Sequence, residues 1–472
     1  MAARLDDLLL LFIVIVSLPL ATLFLGFNYA AAVVATQSGR LSLRRRQPAS
    51  RKTILVTGTS NIQGLNVARA LANAGHRIIG ADLQSLGLLD VSRRSRALTR
   101  HYALPPLSAV ADANYFARWL LEIVTKENTN LWIDCSQTIP LDAIALARQK
   151  VEEKTDCACI AVDTNSSRVF ADRATLMEFF RDAGLPTPET HRIRSRGDIH
   201  NVLNHGQGKK QYVLAPPKKS KSNAPQTLLP RRTLSQTYQD VSLVKITPGT
   251  DLILQEYLDV STTYRCTAVA IRGSVEAFWV RQISNTGVDE GVGGPALHQA
   301  LRSYTQAVVR EMGRDFCSHL TLSFVLREKV THVGVAQLII PVEGSLRLDP
   351  DFVPIAGLPD SNSLVNAYLS MLQNISNGAT ASKGQNSQTS AMVNQLIKEN
   401  RIPMTVANNS ILQLCRRLLL LRISPSEALG SVGFLLRRPL LGREAYYDFL
   451  DPVPAFWQYT VVFAWTVLMG TV

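Results

Sequence analysis

Apolar positions recur with two different periods between residues 53 and 160. Short apolar runs, of the length typical of buried strands, occur in TILVTG (53–58), HRIIGAD (76–82), TNLWIDCS (129–136) and CACIAVD (157–163). Apolar residues at helical spacing lie between these runs, in LNVARALANAG (65–75), ANYFARWLLEIVTKEN (113–128) and LDAIALARQKVEE (141–153). Strands that alternate with helices in this way predict an open parallel α/β sheet.

The pattern changes beyond residue 163. DRATLMEFFRDAGLPTPET (172–190) predicts a helix that begins after an acid and ends at Gly184 and Pro186. Alternating residues then predict strands in LILQEYL (252–258), YRCTAVAIRG (264–273), SVEAFWVRQ (274–282), LTLSFVLRE (320–328) and HVGVAQLIIPVEG (332–344), with a helix in ALHQALRSYTQAVVREMG (296–313). Polar composition predicts a mobile loop at 205–236 and an insertion at 373–395.

Both ends of the chain are apolar. Residues 8–27 carry no charge, and about 20 such residues cross a bilayer as a helix. A cleaved signal peptide is the alternative, but its apolar region is shorter and follows a basic start. Basic residues at 28–51 favour a single-pass anchor with the bulk of the chain in the cytosol. The tail of the C-terminal region (396–472) is a second membrane element, an interfacial segment or a docked segment.

Composition narrows the classes of partner. The chain of 472 residues is 46% hydrophobic and 18% charged. This apolar content is sufficient to form hydrophobic cores, and the composition argues against a chain that is disordered throughout. Its net charge of +13 is gathered in short basic runs without interleaved aromatic platforms, so nucleic acid is excluded as a partner. Six cysteines show neither CxxC nor zinc spacing, which indicates core thiols in a reducing compartment.

The turn GTSNIQG (58–64) raises the question of a dinucleotide site. The dinucleotide fingerprint needs three glycines, and this turn keeps only Gly58 and Gly64. Asp82 ends the second strand, where an acid that binds ribose would stand, but the chain has no Tyr-x-x-x-Lys pair for hydride chemistry. An NAD-binding oxidoreductase is therefore a second alternative, beside the simpler reading that Gly58 only allows a tight turn.

The order of these segments resembles the ATP-grasp ligases. The helix that starts at 172 and the LILQEYL strand carry this likeness. Three stretches resemble, more closely, fungal carboxylate–amine ligase-like proteins of the carbamoyl-phosphate-synthase-like, mycosporine-synthetase-related group: SRRSRALTRHYALPP (92–106), SNSLVNAYLSML (361–372) and REAYYDFLDPVPAFW (443–457). The resemblance implies a Rossmann-like pre-ATP-grasp domain at 52–165 and a two-lobed α+β ATP-grasp module at 166–372.

The resemblance also implies the chemistry and the residues that bind ATP. ATP would phosphorylate a small carboxylate, and an amine would displace the acyl phosphate to form a C–N bond. The hinge that lines the adenine matches Gln255, Glu256, Tyr257 and Leu258. The strand lysine that meets the phosphates falls on Ala215, so that Lys218 and Lys219 are either its substitutes or loop charges.

The ligands expected for Mg²⁺ are largely replaced. Ser323 stands where the first acid should lie, and Leu346 and Leu348 where a glutamate and an asparagine should lie. Mg²⁺ takes oxygen ligands, which leucine lacks. The nearby carboxylates are Asp349, the candidate metal ligand, and two further acids, Asp351 and Glu343. The sequence therefore predicts an ATP-grasp ligase-like protein with weakened or lost activity; the alternative is a non-catalytic nucleotide-binding or scaffold relative. No catalytic residue is identified.

Overall fold

A computed structural model describes most of the chain between residues 51 and 376 and a short C-terminal segment. The described residues are 26, 51–83, 90–104, 112–205, 210–215, 227–246, 252–258, 262–284, 294–331, 334–349, 359–376 and 451–458. They fall into two compact units. The first comprises Met1–Ile139, Lys150–Ile160 and Asp349–Val472, and the second comprises Pro140–Gln149 and Ala161–Leu348, in each case as far as these ranges are described.

The first unit is built on a parallel sheet of five strands, in the order β3-β2-β1-β4-β5. The strands are β1 (Thr53–Thr57), β2 (Arg77–Leu83), β3 (Arg100–Leu104), β4 (Leu131–Asp134) and β5 (Ala158–Ile160). Its helices are α1 (Ile62–Asn73), α2 (Ala113–Glu127), α9 (Pro359–Ser376) and α10 (Val453–Trp457), and α3 (Leu141–Lys154) runs through both units. The parallel pairing confirms the predicted α/β sheet.

The core of this unit explains why the apolar runs form strands. Ile54, Leu55 and Val56 of β1 are fully buried, as are Trp132 of β4 and Phe116 of α2. A strand buried on both faces must be apolar at successive positions rather than at alternate ones. The continuous runs in the sequence therefore marked central strands of a parallel sheet.

Close packing explains the two glycines of the turn between β1 and α1. Gly58 has a φ of +80°, and a Cβ there would lie 2.5 Å from the backbone of Cys135. A Cβ at Gly64 would lie 2.2 Å from the carbonyl oxygen of Gly58. Both positions require glycine for the protein's own backbone, without any ligand.

The second unit contains two antiparallel sheets of four strands each. The hinge sheet has the order β6-β9-β7-β8, and the large sheet has the order β11-β10-β12-β13. The hinge sheet consists of β6 (Thr190–Ile193), β7 (Tyr212–Ala215), β8 (Thr227–Leu229) and β9 (Leu252–Glu256). The large sheet consists of β10 (Thr262–Ile271), β11 (Ser274–Ser284), β12 (Ser318–Thr331) and β13 (Gly334–Ser345). The helices of this unit are α4 (Thr164–Val169), α5 (Arg173–Asp182), α6 (Arg196–His205), α7 (Leu234–Leu243) and α8 (Pro295–Met312).

The predicted loop at 205–236 needs correction, because two strands and the start of α7 lie within it. Tyr212, Leu214 and Leu229 belong to one buried cluster with Val241 and Leu254. These apolar residues are few and scattered among polar ones, and only pairing with β9 gathers them into a core. Local composition therefore indicated a loop where long-range pairing makes a sheet.

The segment at 451–458 docks on the first unit. The Asp451 carboxylate accepts hydrogen bonds from Arg69 Nε at 3.0 Å, the Ser95 hydroxyl and the Arg96 backbone N–H at 3.0 Å. The Arg94 guanidinium lies 3.5 Å from the centre of the Trp457 ring. Two of the stretches that carry the closer resemblance, 92–106 and 443–457, thus contact each other.

Several predictions concern residues outside the described ranges. The anchor at 8–27, apart from residue 26, lies outside them, as do nearly all of the linker at 28–51, most of the insertion at 373–395 and the tail from 459. No helix among the described residues is long and apolar enough to cross a bilayer.

Candidate functional site

The strand β9 carries the predicted hinge of the second unit. Gln255 lies opposite Thr190 of β6 and Val213 of β7. It is 5% exposed, and its side-chain Nε2 has no hydrogen-bond partner within the described part of the chain. An unpaired buried donor costs about 1–3 kcal/mol. The hinge therefore holds a buried amide that a ligand acceptor would satisfy.

The pairing register shows which face of the hinge sheet presents Gln255. Directly opposite residues of antiparallel strands share a face, so Gln255 and Val213 share one face with Ile253 and Ala215, which form the neighbouring pair. The other face packs through Tyr212 and other apolar residues into the buried cluster of this unit. Gln255 thus lies on the face turned away from that cluster, between two apolar side chains.

Glu256 is held by ionic partners rather than left open. Its carboxylate lies 3.1 Å from Arg327 Nη1 and 3.6 Å from Lys210 Nζ. Its backbone N–H donates to the carbonyl of Glu189 at 2.7 Å, and the N–H of Tyr257 donates to the carbonyl of Gln211 at 2.6 Å. The Glu256 side chain and the backbone N–H groups of Glu256 and Tyr257 are therefore engaged within the protein.

The neighbouring carboxylate of Glu189 is strongly acidic. Partial burial acts to raise its pKa, but hydrogen bonds from Lys210 at 2.7 Å and His191 at 2.8 Å outweigh burial and lower the pKa to about 2. The ionised Glu189 shares Lys210 with Glu256. This ion-pair group fixes the end of β9 at neutral pH.

The remaining predicted ATP residues are placed as follows. Tyr257 is 40% exposed, and Leu258 is half-buried just beyond the strand. Ala215 ends β7, opposite Ile253, so a methyl group stands at the expected place of the phosphate lysine. Lys218 and Lys219 lie outside the described residues.

The predicted metal positions lie in or just after the large sheet. Ser323 of β12 is 6% exposed and lies directly opposite Glu343 of β13. Leu346 and Leu348 are 2% and 1% exposed, so they are core residues. No group of three or more His, Cys, Asp or Glu within the described ranges is arranged to hold a metal ion.

Asp349, the predicted metal ligand, is 3% exposed. The neighbouring acid Asp351 lies outside the described residues. The assignment of Asp349 as a ligand stays a prediction.

Sequence reasoning missed a row of charged residues across the large sheet. Arg281 of β11 lies opposite Arg265 of β10, and Arg265 lies opposite Ser323 of β12. Ser323 in turn lies opposite Glu343 of β13. Only the register of three strand pairs brings these residues together, and no sequence spacing reveals it. The alternation of the strands was the one available signal, since it places every second residue on one face.

The carboxyl edge of the parallel sheet, in the first unit, is occupied by the protein's own hydrogen bonds. The Asp82 carboxylate accepts the backbone N–H groups of Ser60, in the glycine turn, and of Leu83. Burial raises the pKa of Asp82 to about 6, against the opposing effect of these hydrogen bonds. The acid expected to bind ribose is thus engaged with the turn, which leaves the NAD alternative without support from this edge.

Comparisons with known proteins give structural likeness alone. No family model matches the chain, and no curated protein matches its sequence. Similar solved structures include the biotin carboxylase domain of 2-oxoglutarate carboxylase from Hydrogenobacter thermophilus, in complex with MgADP, ADP and bicarbonate, at 14% identity, 71% of each chain covered and a TM-score of 0.48. The L-amino acid ligase from Bacillus licheniformis matches at 12% identity, with 68% of this chain and 75% of that chain covered and a TM-score of 0.45.

A third similar structure is N5-carboxyaminoimidazole ribonucleotide synthetase from Thermus thermophilus. It matches at 17% identity, covers 63% of this chain and 71% of that chain, and has a TM-score of 0.44. Such low identities and TM-scores leave the functional assignment to this chain's own residues.

Proposed function

We propose that the second unit binds ATP at the hinge strand β9, and that the chain is an ATP-grasp-type, carboxylate–amine ligase-like protein. The observation that carries this proposal is the buried amide of Gln255, which has no partner within the described residues and lies on the face of the hinge sheet turned away from the apolar cluster. Adenine offers ring-nitrogen acceptors to such a donor. Val213 and Ile253, on the same face, would flank the base with apolar surface.

Mg²⁺ would accompany the nucleotide rather than occupy a resident set of ligands. The residues at the expected positions do not form such a set, since one is the hydroxyl of Ser323 and the other two are buried leucines. Mg²⁺ often binds through substrate phosphates and only one or two carboxylates. Glu343, opposite Ser323, is the carboxylate of the second unit proposed for such a contact.

The reaction proposed for an active form follows from the family resemblance. ATP phosphorylates a small carboxylate, and an amine displaces phosphate to leave a C–N bond. We propose that this activity is weakened, because Ala215 replaces the strand lysine and Ser323 replaces an acid. The alternative is a nucleotide-binding scaffold without turnover, and release of ADP that depends on both carboxylate and amine would decide against the scaffold.

The N-terminal segment is proposed as a membrane anchor. This proposal is supported by the uncharged stretch 8–27, which is long enough to cross a bilayer as a helix. The basic residues that follow it favour a cytosolic location for the rest of the chain. Deletion of residues 1–36 should move the protein from the membrane to the soluble fraction. Retention on membranes, or glycosylation at Asn165, Asn374 or Asn408, would contradict the anchor or its orientation.

The ATP site is tested by Gln255→Met in the full chain purified in detergent. The variant removes the unpaired donor, so the ligand-free protein should become slightly more stable. The affinity for ATP should fall about 3- to 10-fold, which corresponds to the loss of one neutral hydrogen bond. A thermal shift assay measures the stability of the ligand-free protein directly. It also measures the affinity for ATP, because a ligand that binds only the folded state stabilises that state by mass action. Gln236→Met, at an exposed position of α7, is the control. Unchanged ATP affinity in Gln255→Met would reject the hinge as the site.

A further inference from the structure

Three exposed arginines lie in the stretch of the first unit on which the C-terminal segment docks. These residues, here called the arginine face, are Arg93, Arg94 and Arg96, which follow β2 in the chain. The Arg94 guanidinium lies 3.5 Å from the centre of the Trp457 ring, and the backbone N–H of Arg96 donates to the Asp451 carboxylate at 3.0 Å. The arginine face and the docked segment 451–458 are therefore neighbours.

Two buried serines fix the backbone of this stretch. Ser92 and Ser95 are 0% and 7% exposed, although the arginines beside them are exposed. The Ser92 hydroxyl donates to the Asp90 carboxylate at 2.7 Å, and the Ser95 hydroxyl donates to the Asp451 carboxylate. The arginine face is thus built on a backbone that is ordered before any partner binds, which reduces the entropy cost of binding.

The acids around the arginine face are turned inward. Asp90, Glu127 and Asp451 are 8%, 4% and 3% exposed. Each of these carboxylates lies within 3.2 Å of a basic side chain of the same unit, which is His101, Arg100 or Arg69, respectively. Carboxylate is thus withdrawn from this part of the surface, whereas the guanidinium groups of the arginine face remain on it.

The sequence that follows the docked segment is apolar. Residues 459–472 carry no charge and include Phe463 and Trp465. They begin directly after Gln458, two positions beyond the Trp457 ring that lies against Arg94. An uncharged, aromatic stretch of this kind therefore continues the chain from a point next to exposed cations. Tryptophan is enriched where a bilayer meets water.

We propose that the arginine face and the stretch 459–472 together bind the surface of an anionic lipid bilayer. Guanidinium groups bind phosphate oxygens in pairs through their planar fork of donors, as lipid headgroups require. Apolar and aromatic side chains enter the boundary between headgroups and acyl chains. The first unit would then lie against the membrane through a folded surface.

The combination of charge and apolar sequence is what favours a bilayer as the occupant. A cluster of cations alone would suit any anion, including an acidic protein or free phosphate. The uncharged stretch beside it calls for a partner that offers negative charge and apolar depth at the same place, which an anionic bilayer does. This inference rests neither on the proposed ATP site nor on the proposed anchor at 8–27.

The test compares hydrogen–deuterium exchange of the full chain in detergent micelles that contain either phosphatidylcholine or phosphatidylserine. Both micelles cover apolar segments alike, so the comparison does not depend on whether residues 8–27 are an anchor. Peptides that contain residues 92–100 should exchange more slowly with phosphatidylserine, and peptides that contain residues 234–243 should be unchanged. A titration of phosphatidylserine gives the lipid fraction at half-maximal protection.

Four variants separate charge, apolar contact and folding. Arg93→Gln leaves the contact of Arg94 with Trp457 in place and should raise the phosphatidylserine fraction at half-maximal protection about 5-fold, the contribution of one cation at an anionic surface. Arg93→Lys should retain most of the response. Phe463→Asp should weaken it, because a charge opposes burial among lipids. Arg118→Gln, at an exposed position of α2, removes an equal charge elsewhere and should have no effect.

Equal exchange of residues 92–100 in the two kinds of micelle would overturn the inference, as would a wild-type response in both Arg93→Gln and Phe463→Asp. Slower exchange that follows protein concentration instead of lipid charge would assign the arginine face to a second copy of the chain. Slower exchange on addition of inorganic phosphate to phosphatidylcholine micelles would assign it to a free anion. None of these measurements involves ATP, so the proposed function and this inference can fail separately.

Discussion

The carboxyl edge of the parallel sheet, in the first unit, and the hinge strand β9, in the second, use their polar residues in opposite ways. In the first unit, the acids at the carboxyl edge of the parallel sheet are satisfied from within: Asp134 accepts the hydroxyls of Thr57 at 2.7 Å and Ser136 at 2.6 Å, and Asp82 accepts two backbone N–H groups. In the second unit, the Gln255 amide is buried with no partner in the described chain. Because buried polar groups are normally paired, the first pattern indicates structure and the second indicates a ligand site.

The largest effect should come from the docked C-terminal segment of the first unit. Arg69 and Asp451 form an ion pair at 3.0 Å with side chains 2% and 5% exposed. Removal of one member leaves a buried charge without its partner, which typically costs about 3–5 kcal/mol. Asp451→Leu should therefore lower the free energy of unfolding by that order in denaturant titration.

The double variant Arg69→Met, Asp451→Leu provides the control for this ion pair. It should recover much of the loss, because neither charge then remains buried and unpaired. A double variant as unstable as Asp451→Leu would assign the effect to packing of the segment instead of to its charge.

The two units should also differ in the pH window of their carboxylates. The pKa of Asp82 is raised from 3.8 to about 6, so its ionisation opposes folding: stability falls as pH rises from about 4 to 6, by about 3 kcal/mol in full. Asp82→Asn should flatten the stability profile in that window. Equilibrium unfolding measured between pH 4 and 7 checks this, and an unchanged slope would contradict it.

Glu189 of the second unit should show the reverse sign. Its pKa is lowered from 4.5 to about 2, so its contribution is present above pH 4.5 and is lost as pH falls toward 2. Its side chain is 36% exposed, and solvent screening makes the effect smaller than the pKa alone would give. Glu189→Gln should flatten the acid limb of the profile below pH 4.5; an unchanged acid limb would speak against this assignment.

A pair of glycines tests whether the turn of the first unit is structural. Gly58 and Gly184 both have positive φ, +80° and +70°, but a Cβ at Gly184 meets nothing within 4 Å, whereas one at Gly58 meets the Cys135 backbone at 2.5 Å. Both substitutions by alanine should cost about 1–2 kcal/mol of strain. Gly58→Ala should cost a further 1–3 kcal/mol, roughly, from overpacking. Equal losses in the two variants would remove the packing explanation.

The sequence predicted those elements whose pattern is set locally. The apolar runs of β1, β2 and β4 and the helix after Asp172, whose side chain caps it through Thr175 N at 2.9 Å, lie where periodicity placed them. Periodicity missed β3, β6, β7 and β8, because they are short and flanked by basic or polar residues. Their strand state depends on partners distant in sequence.

The residues of the candidate site likewise fall into a part that the sequence predicted and a part that it did not. The hinge around Gln255 could be proposed from one continuous motif, whereas the row from Arg281 to Glu343 depends on three strand registers. Register is set by the packing of whole sheets and leaves no local mark. Residues that lie opposite one another across a sheet were therefore beyond sequence reasoning, even though each strand was predicted.

Hydrogen–deuterium exchange of the full chain in detergent, with and without ATP, compares the two regions directly. The account predicts that ATP slows exchange in peptides that contain residues 252–258 and leaves peptides that contain residues 58–64 unchanged. Protection of the glycine turn at 58–64 without protection of the hinge, or no protection in either region at saturating ATP, would contradict it.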